Sequence, residues 1–248
     1  MRAVFVTLIY QVYVLTVCEV CRQISQVLLP PEYHLVALEF FGTLQLCTSV
    51  FENSSFYVHY GLLGFYLGLT LVIFLTILTM KGARANPAPL IEDSLVARTL
   101  PSRSLMHLLM AQVVAGFLSF RLAKLFWSMQ MNEFHRERYH HFICSTDCNV
   151  TPYQGMLAEF VATAASRYFK LRVMDSFSGL TAVAIISAGC STVTMIGLFI
   201  TGMYLNPVLA SSLTLGCEGL NALGHGMVYW LGPIGGWMVG TQLYKYLK

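Results

Sequence analysis

Hydrophobic positions in this chain fall in long unbroken blocks separated by short polar punctuation, not in the strict alternation of half-buried strands. Six blocks reach the length of about 20 residues that a helix needs to cross a bilayer: 33–52, 59–80, 104–131, 155–174, 178–200 and 222–244. The second and fifth contain no Asp, Glu, Lys or Arg. A seventh apolar run, AVFVTLIYQVYVLTVC (3–18), is short for a span. A signal-peptide core, an interfacial helix and an extension of the first span are the alternatives. The residues that follow, Cys18-Glu19-Val20-Cys21-Arg22, offer no small-x-small cleavage site, which favours a retained membrane helix.

Composition agrees with the pattern. The chain is 56% hydrophobic and 11% charged, with a mean hydropathy of +0.63, whereas soluble domains carry about 25% charged residues. An all-α polytopic membrane protein is expected, held in lipid. No polar linker or low-complexity tract divides residues 1–248, so one transmembrane domain is expected. The net charge of +3 is thinly spread, which excludes a nucleic-acid footprint.

Charge also sets orientation. With six spans, 1–32, 81–103, 166–177 and 245–248 share one side and hold eleven Lys and Arg, against Arg136 and Arg138 opposite. The richer side is cytosolic. Both glycosylation sequons, at Asn53 and Asn149, then face the lumen or exterior.

An internal repeat organises the blocks. LEFFGT begins at Leu38 and AEFVAT at Ala158, so Glu39, Phe40 and Thr43 match Glu159, Phe160 and Thr163 at an offset of 120. At the same offset, Gly82 and Asn86 match Gly202 and Asn206. The halves, about 33–131 and 153–244, each read as span, span, short Asn-Pro segment, span. Three spans per half reverse the topology of the second, so the Asn-Pro segments enter from opposite faces. Neither is long enough to cross, and such segments survive at membrane depth only when buried in protein or lining a water cavity.

These segments suit half-helices. Pro87 and Pro207 fit a first helical turn, where the missing N–H costs nothing. Asn86 and Asn206 fit the N-cap, each spending its carbonyl oxygen on the helix and leaving its amide as a donor. Two helix N-termini at the membrane centre oppose protons and cations. The expected product is a pore for neutral solutes.

LEFFGTLQLC, GARANPA, AQVVAGF (111–117), AEFVAT, GMYLNPV and YWLGPIGG (229–236) together resemble the aquaporin family over nearly the whole chain. The likeness is greatest to its unorthodox or superaquaporin branch, which includes the eleventh and twelfth mammalian aquaporins. It implies pore boxes at Asn86, Pro87, Ala88 and Asn206, Pro207, Val208, and a homotetramer. It implies a filter at Met203, Thr194, Leu209 and Tyr66 or Phe65. It marks Cys217 as the branch's Cys beyond the second box. Leu209 stands where most water-selective relatives have Arg, and Val208 where they have Ala. Losing a fixed charge and strong donor makes the constriction more apolar. Passage of water with glycerol or hydrogen peroxide is expected.

Glu39 and Glu159 invite a proton-relay reading, but their symmetry suggests structural acids that accept hydrogen bonds from the loop backbone before each box; the resemblance implies the same. Arg121 and Lys124 are expected to snorkel from the third span or to pair with an acid. The loop HRERYHHFICSTDC (135–148) fits no standard zinc spacing, so no metal or cofactor is expected; a Cys144–Cys148 disulfide is favoured. Cys18, Cys47 and Cys190 read as packing residues. Cys217 reads as a packing thiol or a redox or assembly control point. A secondary transporter would need an ionisable coupling site at the midplane, and a scaffold with a closed pore is the other rival. No nucleophile–base pair supports an enzyme. The branch resemblance favours the endoplasmic reticulum or another intracellular membrane, with the plasma membrane as the alternative.

Overall fold

The computed structural model describes residues 3–248. In chain order the helices are α1 (Ala3–Leu28), α2 (His34–Phe51), α3 (Asn53–Thr79), α4 (Pro87–Leu95), α5 (Ser102–Trp127) and α6 (Glu133–His141). They continue with α7 (Pro152–Ser176), α8 (Gly179–Thr201), α9 (Pro207–Thr214), α10 (Ala222–Gly226) and α11 (Gly232–Tyr246). Two compact units share the chain. One takes the residues up to Ala85 with Leu100–Ile143, the other Asn86–Thr99 with Cys144–Lys248. The first Asn-Pro segment, although it belongs to the first repeat, is therefore built into the same unit as the second.

In the first unit, α1 extends ten residues beyond the apolar run 3–18, through Leu28. The sequence signal stopped early because residues 19–28 include Glu19, Arg22, Gln23 and Gln26. Arg22 is nevertheless only 2% exposed, and it donates to Gln45 at 2.8 Å. At the other end Thr7 bonds Glu52 at 3.1 Å, and the Tyr10 hydroxyl donates to the Thr48 carbonyl at 2.7 Å. These contacts make α1 antiparallel to α2. At about 1.5 Å per residue its 26 residues cover about 39 Å, enough to cross beside α2. The two ends of α1 thus lie toward opposite sides, which corrects the assignment of 1–32 to one side; Arg2 itself lies outside the described residues.

The boundary between the first two spans also moves. The helix continues through Glu52, whose backbone stays helical, and the chain breaks at Gly61, at φ 66° and ψ −160°. It folds back there: a Cβ on Gly68 would lie 2.2 Å from the Phe56 ring. Asn53 consequently sits inside a helix and is 2% exposed, so it has no room for a glycan. The expectation of glycosylation at Asn53 is corrected on this ground. Glu52, fully buried, accepts from Trp127 Nε1 at 3.0 Å and pairs with His135 Nε2 at 2.9 Å. This binds α1, α5 and α6 at one point. Lys124, exposed on α5, lies 5.5 Å from the Tyr139 ring, consistent with a snorkelling cation. Helix α6, which overlaps the start of the loop 135–148, has no apolar stripe to announce it.

In the second unit the expected spans 155–174 and 178–200 appear as α7 and α8. The last, 222–244, is α10 and α11 joined by one turn of π-helix, Met227–Leu231. Pro233 lacks an N–H and crowds the preceding turn, an identifiable cause for the widened turn. Three glycines at helical spacing then let α11 lie directly on α7. A Cβ on Gly232 would lie 2.7 Å from the Met156 carbonyl oxygen, on Gly236 2.2 Å from that of Phe160, and on Gly240 2.5 Å from that of Ala164. In lipid, where apolar burial gives little preference for helix against helix, such close backbone approach drives association.

Among the described residues five helices are long and apolar enough to cross a membrane: α1, α2 with its preceding turn, α3, α5 and α8. Helix α7 misses that measure because Glu159, Arg167, Lys170, Arg172 and Asp175 lie along it. Large apolar side chains such as Phe5, Leu63, Phe117, Ile196 and Phe199 point outward, while Thr43, Thr48, Gln112, Ser187 and Thr201 are buried. That is the distribution of a protein solvated by lipid. Replacing Gly236 with Val should push α11 off α7 at a cost of about 1–3 kcal/mol or more. A lower unfolding midpoint in detergent, beside an unchanged Gly226→Ala control that meets open space, checks this.

Candidate functional site

The chain before each Asn-Pro box takes up a backbone that L-residues avoid. Ala85 has φ 48° and Leu205 φ 57°, each immediately before the Asn, and Met203 has φ 49°. A left-handed non-glycine residue costs about 1–2 kcal/mol. A buried carboxylate offsets it in each unit. Glu39 accepts from the backbone N–H of Arg84 at 2.7 Å and of Ala85 at 3.0 Å. Glu159 accepts from Tyr204 at 3.0 Å and Leu205 at 2.9 Å. Two backbone hydrogen bonds to each carboxyl group hold the strained segment in place. Both acids are at most 1% exposed. The repeat visible at Glu39 and Glu159 is therefore a repeat of loop-holding chemistry.

Each carboxylate has a further donor that the repeat could not reveal, because the donors are unrelated. Gln112 of α5 donates to Glu39 at 2.8 Å, and the Thr201 hydroxyl donates to Glu159 at 2.9 Å.

Beyond the strained residue each Asn caps a short helix. The Asn86 Oδ1 accepts from Ala88 N–H at 2.9 Å. That of Asn206 accepts from Val208 at 3.1 Å and Leu209 at 3.4 Å. Pro87 and Pro207 occupy the first turns. The two boxes meet within the second unit, where the Asn86 amide donates to the Leu205 carbonyl at 3.3 Å. One amide hydrogen is thus engaged across the boxes and the second remains for another acceptor.

The positions named for the filter divide between the units. Tyr66 and Phe65 are half-buried on α3 of the first. In the second, the Thr194 hydroxyl donates to the Met203 carbonyl at 3.3 Å. The Met203 side chain fills the notch left by Gly197, where a Cβ would lie 1.8 Å from its terminal methyl. Leu209 is half-buried in the first turn of α9.

The expected Cys144–Cys148 disulfide is corrected: Cys144 is bonded to Cys217, and Cys148 is a free thiol. A parallel bridge pairs Ser145 with Glu218. Thr146 N–H donates to the Glu218 carbonyl at 2.9 Å, and Glu218 N–H to that of Cys144 at 3.2 Å. This sets the Cα atoms of Cys144 and Cys217 4.9 Å apart. Cys148 packs instead beside Ala210, Val228 and Tyr229. Cys217 is thus a cross-link between the loop and the end of the second half-helix. Nearby, Asn149 is exposed and its amide donates to the Phe199 carbonyl at 3.1 Å. Among the described residues no group of His, Cys, Asp and Glu could hold a metal ion.

Removing Cys144 or Cys217 should slow migration in non-reducing electrophoresis to the same extent, while Cys148→Ser leaves it unchanged. Burial pushes the Cys148 thiol above its ordinary value. A raised value means less thiolate at a given pH, so Cys148 should alkylate more slowly at pH 8 than an exposed thiol and catch up only at higher pH. Mass-spectrometric labelling rates measured against pH check this.

No family model matches the chain, but curated relatives do. It is 28% identical to aquaporin-11 of Milnesium tardigradum over 246 residues, covering 99% of this chain and 88% of that one. It is 30% identical to aquaporin-12 of Mus musculus over 240 residues, covering 92% and 81%. It is 25% identical to putative aquaporin-10 of Caenorhabditis elegans over 239 residues, covering 94% and 84%. Alignment at this level across nearly the full length, on a helical chain whose Asn-Pro half-helices meet, places it by descent as well as by geometry: this chain belongs to the aquaporin family of membrane channels, in the superaquaporin branch of aquaporins 11 and 12.

Proposed function

We propose that the protein is a passive channel for water and small neutral solutes, including glycerol and hydrogen peroxide, and not an enzyme. The observation that carries this reading is the meeting of the two boxes, with the Asn86 amide 3.3 Å from the Leu205 carbonyl. Both Asn oxygens are committed to helix N–H groups, so what Asn86 still offers a passing oxygen is its second amide hydrogen, a donor and not an acceptor. The partial positive charge of two helix N-termini disfavours cations there. Tyr66, Thr194, Met203 and Leu209 form the filter in this reading. The Thr194 hydroxyl is spent on Met203, and Leu209 brings no donor, so in this reading the filter lacks the charged donor that would reject a larger neutral solute.

The working unit in this reading is one transmembrane domain assembled as a homotetramer in an intracellular membrane such as the endoplasmic reticulum. Asn149 is its exposed glycosylation acceptor.

Purified protein in liposomes should shrink or swell with rates linear in solute concentration for water, glycerol and hydrogen peroxide. Saturating flux points to a transporter, and no flux to a non-conducting membrane scaffold. Water flux with no uncharged-solute flux would overturn the proposed breadth. Leu209→Arg should cut glycerol and peroxide permeability about tenfold or more relative to water, by restoring a charged donor at the constriction.

A further inference from the structure

The two half-helices are held at their far ends by different chemistry. Helix α4 has nine residues, fewer than the roughly 12–15 that an isolated helix needs for marginal stability in water. Its position must come from tertiary contacts. At its N-terminus the contact is Asn86 with Leu205. Toward its C-terminus, Glu92 is 8% exposed and turns into the second unit. Its Oε2 accepts from Arg167 Nη2 of α7 at 3.0 Å and from Trp237 Nε1 of α11 at 2.7 Å. The Arg167 guanidinium lies 4.2 Å from the Trp237 ring centroid, and its Nε donates to Thr241 at 2.9 Å.

One planar fork thus serves a carboxylate, a hydroxyl and an aromatic face at once, which a lysine cannot reproduce. The frame behind it is stiff, because a Cβ on Gly240 would lie 2.8 Å from the Cβ of Arg167. Among the described residues the position that corresponds to Glu92 in the counterpart half-helix carries no carboxylate. The residue 120 positions after Glu92 is Ser212, whose hydroxyl donates locally to the Leu209 carbonyl at 2.8 Å. Helix α9 is held instead by Trp230 Nε1 on the Ser211 hydroxyl at 3.0 Å and, three residues past its end, by the Cys217 cross-link. The repeat therefore did not supply the clamp at Glu92.

We infer that Glu92, through Arg167 and Trp237, is a positioning residue for the first pore box: it fixes the register of α4 and with it the place of Asn86 opposite Leu205. This rests on the channel reading above. Losing hydrogen bonds to a charged group of this kind changes a local equilibrium about tenfold or more.

The test uses full-length protein in liposomes, with permeability counted per folded channel, and amide hydrogen exchange across 86–97. Glu92→Ala and Arg167→Lys should each raise exchange in α4 about tenfold and change the glycerol-to-water permeability ratio, as a milder Trp237→Phe should to a smaller degree. Asp175→Asn, which breaks an exposed pair with Lys248 at 3.4 Å, should change neither. Should Glu92→Ala not fold, Trp237→Phe and Thr241→Val carry the same measurements. Unchanged exchange, or faster exchange with an unchanged permeability ratio, overturns the inference. Absence of flux in the unsubstituted protein sinks the channel reading instead, and the exchange arm still reports whether the clamp holds α4.

Discussion

Two carboxylates inside the helical mass carry the constraint on which the pore boxes depend. A backbone that leaves helical geometry at membrane depth exposes N–H groups with no water to satisfy them, at several kcal/mol each. Glu39 and Glu159 answer this by accepting consecutive N–H groups in the residues before Asn86 and Asn206. Only then can Ala85 and Leu205 hold positive φ, and only that turn delivers each Asn to the N-cap of a helix that starts in mid-structure. The half-helices, the positive N-terminal ends of their dipoles and the amide donors all follow from it.

Symmetry explains half of the design and fails for the rest. The acids, the strained residues, the capping Asn and the Pro recur at an offset of 120. The supports around them do not recur: Gln112 helps one acid and Thr201 the other, and an ionic clamp holds one half-helix where a disulfide stands beside the other. A duplicated fold keeps the elements that solve the common backbone problem. The contacts to neighbouring helices are free to differ, because α4 and α9 meet different neighbours.

A glycine stripe gives the second unit its rigidity. Gly232, Gly236 and Gly240 bring α11 against the carbonyls of α7, and the π-turn ahead of Pro233 sets that stripe in register. That contact in turn places Trp237 and Arg167. In the first unit the equivalent service comes from the added helix α1, which runs antiparallel to α2 and begins at the buried cluster around Glu52.

What could be read from the sequence was whatever is local or periodic. Long apolar blocks became helices, since a helix in lipid satisfies its own backbone. Asn before Pro makes a capped half-helix, and the 120-residue repeat by itself pairs the two acids. Composition alone misleads at α1, which runs on past its apolar run with one polar side chain, Arg22, buried and bonded to Gln45. The cysteine nearest to Cys144 downstream is not its disulfide partner, which lies 73 residues away. Asn53 kept its sequon but lost its access inside a helix turn. Partners such as Glu92 with Arg167, Cys144 with Cys217 and Gln112 with Glu39 depend on which faces of distant helices meet and at what separation. One-dimensional spacing does not contain that information, so only the tertiary structure decided them.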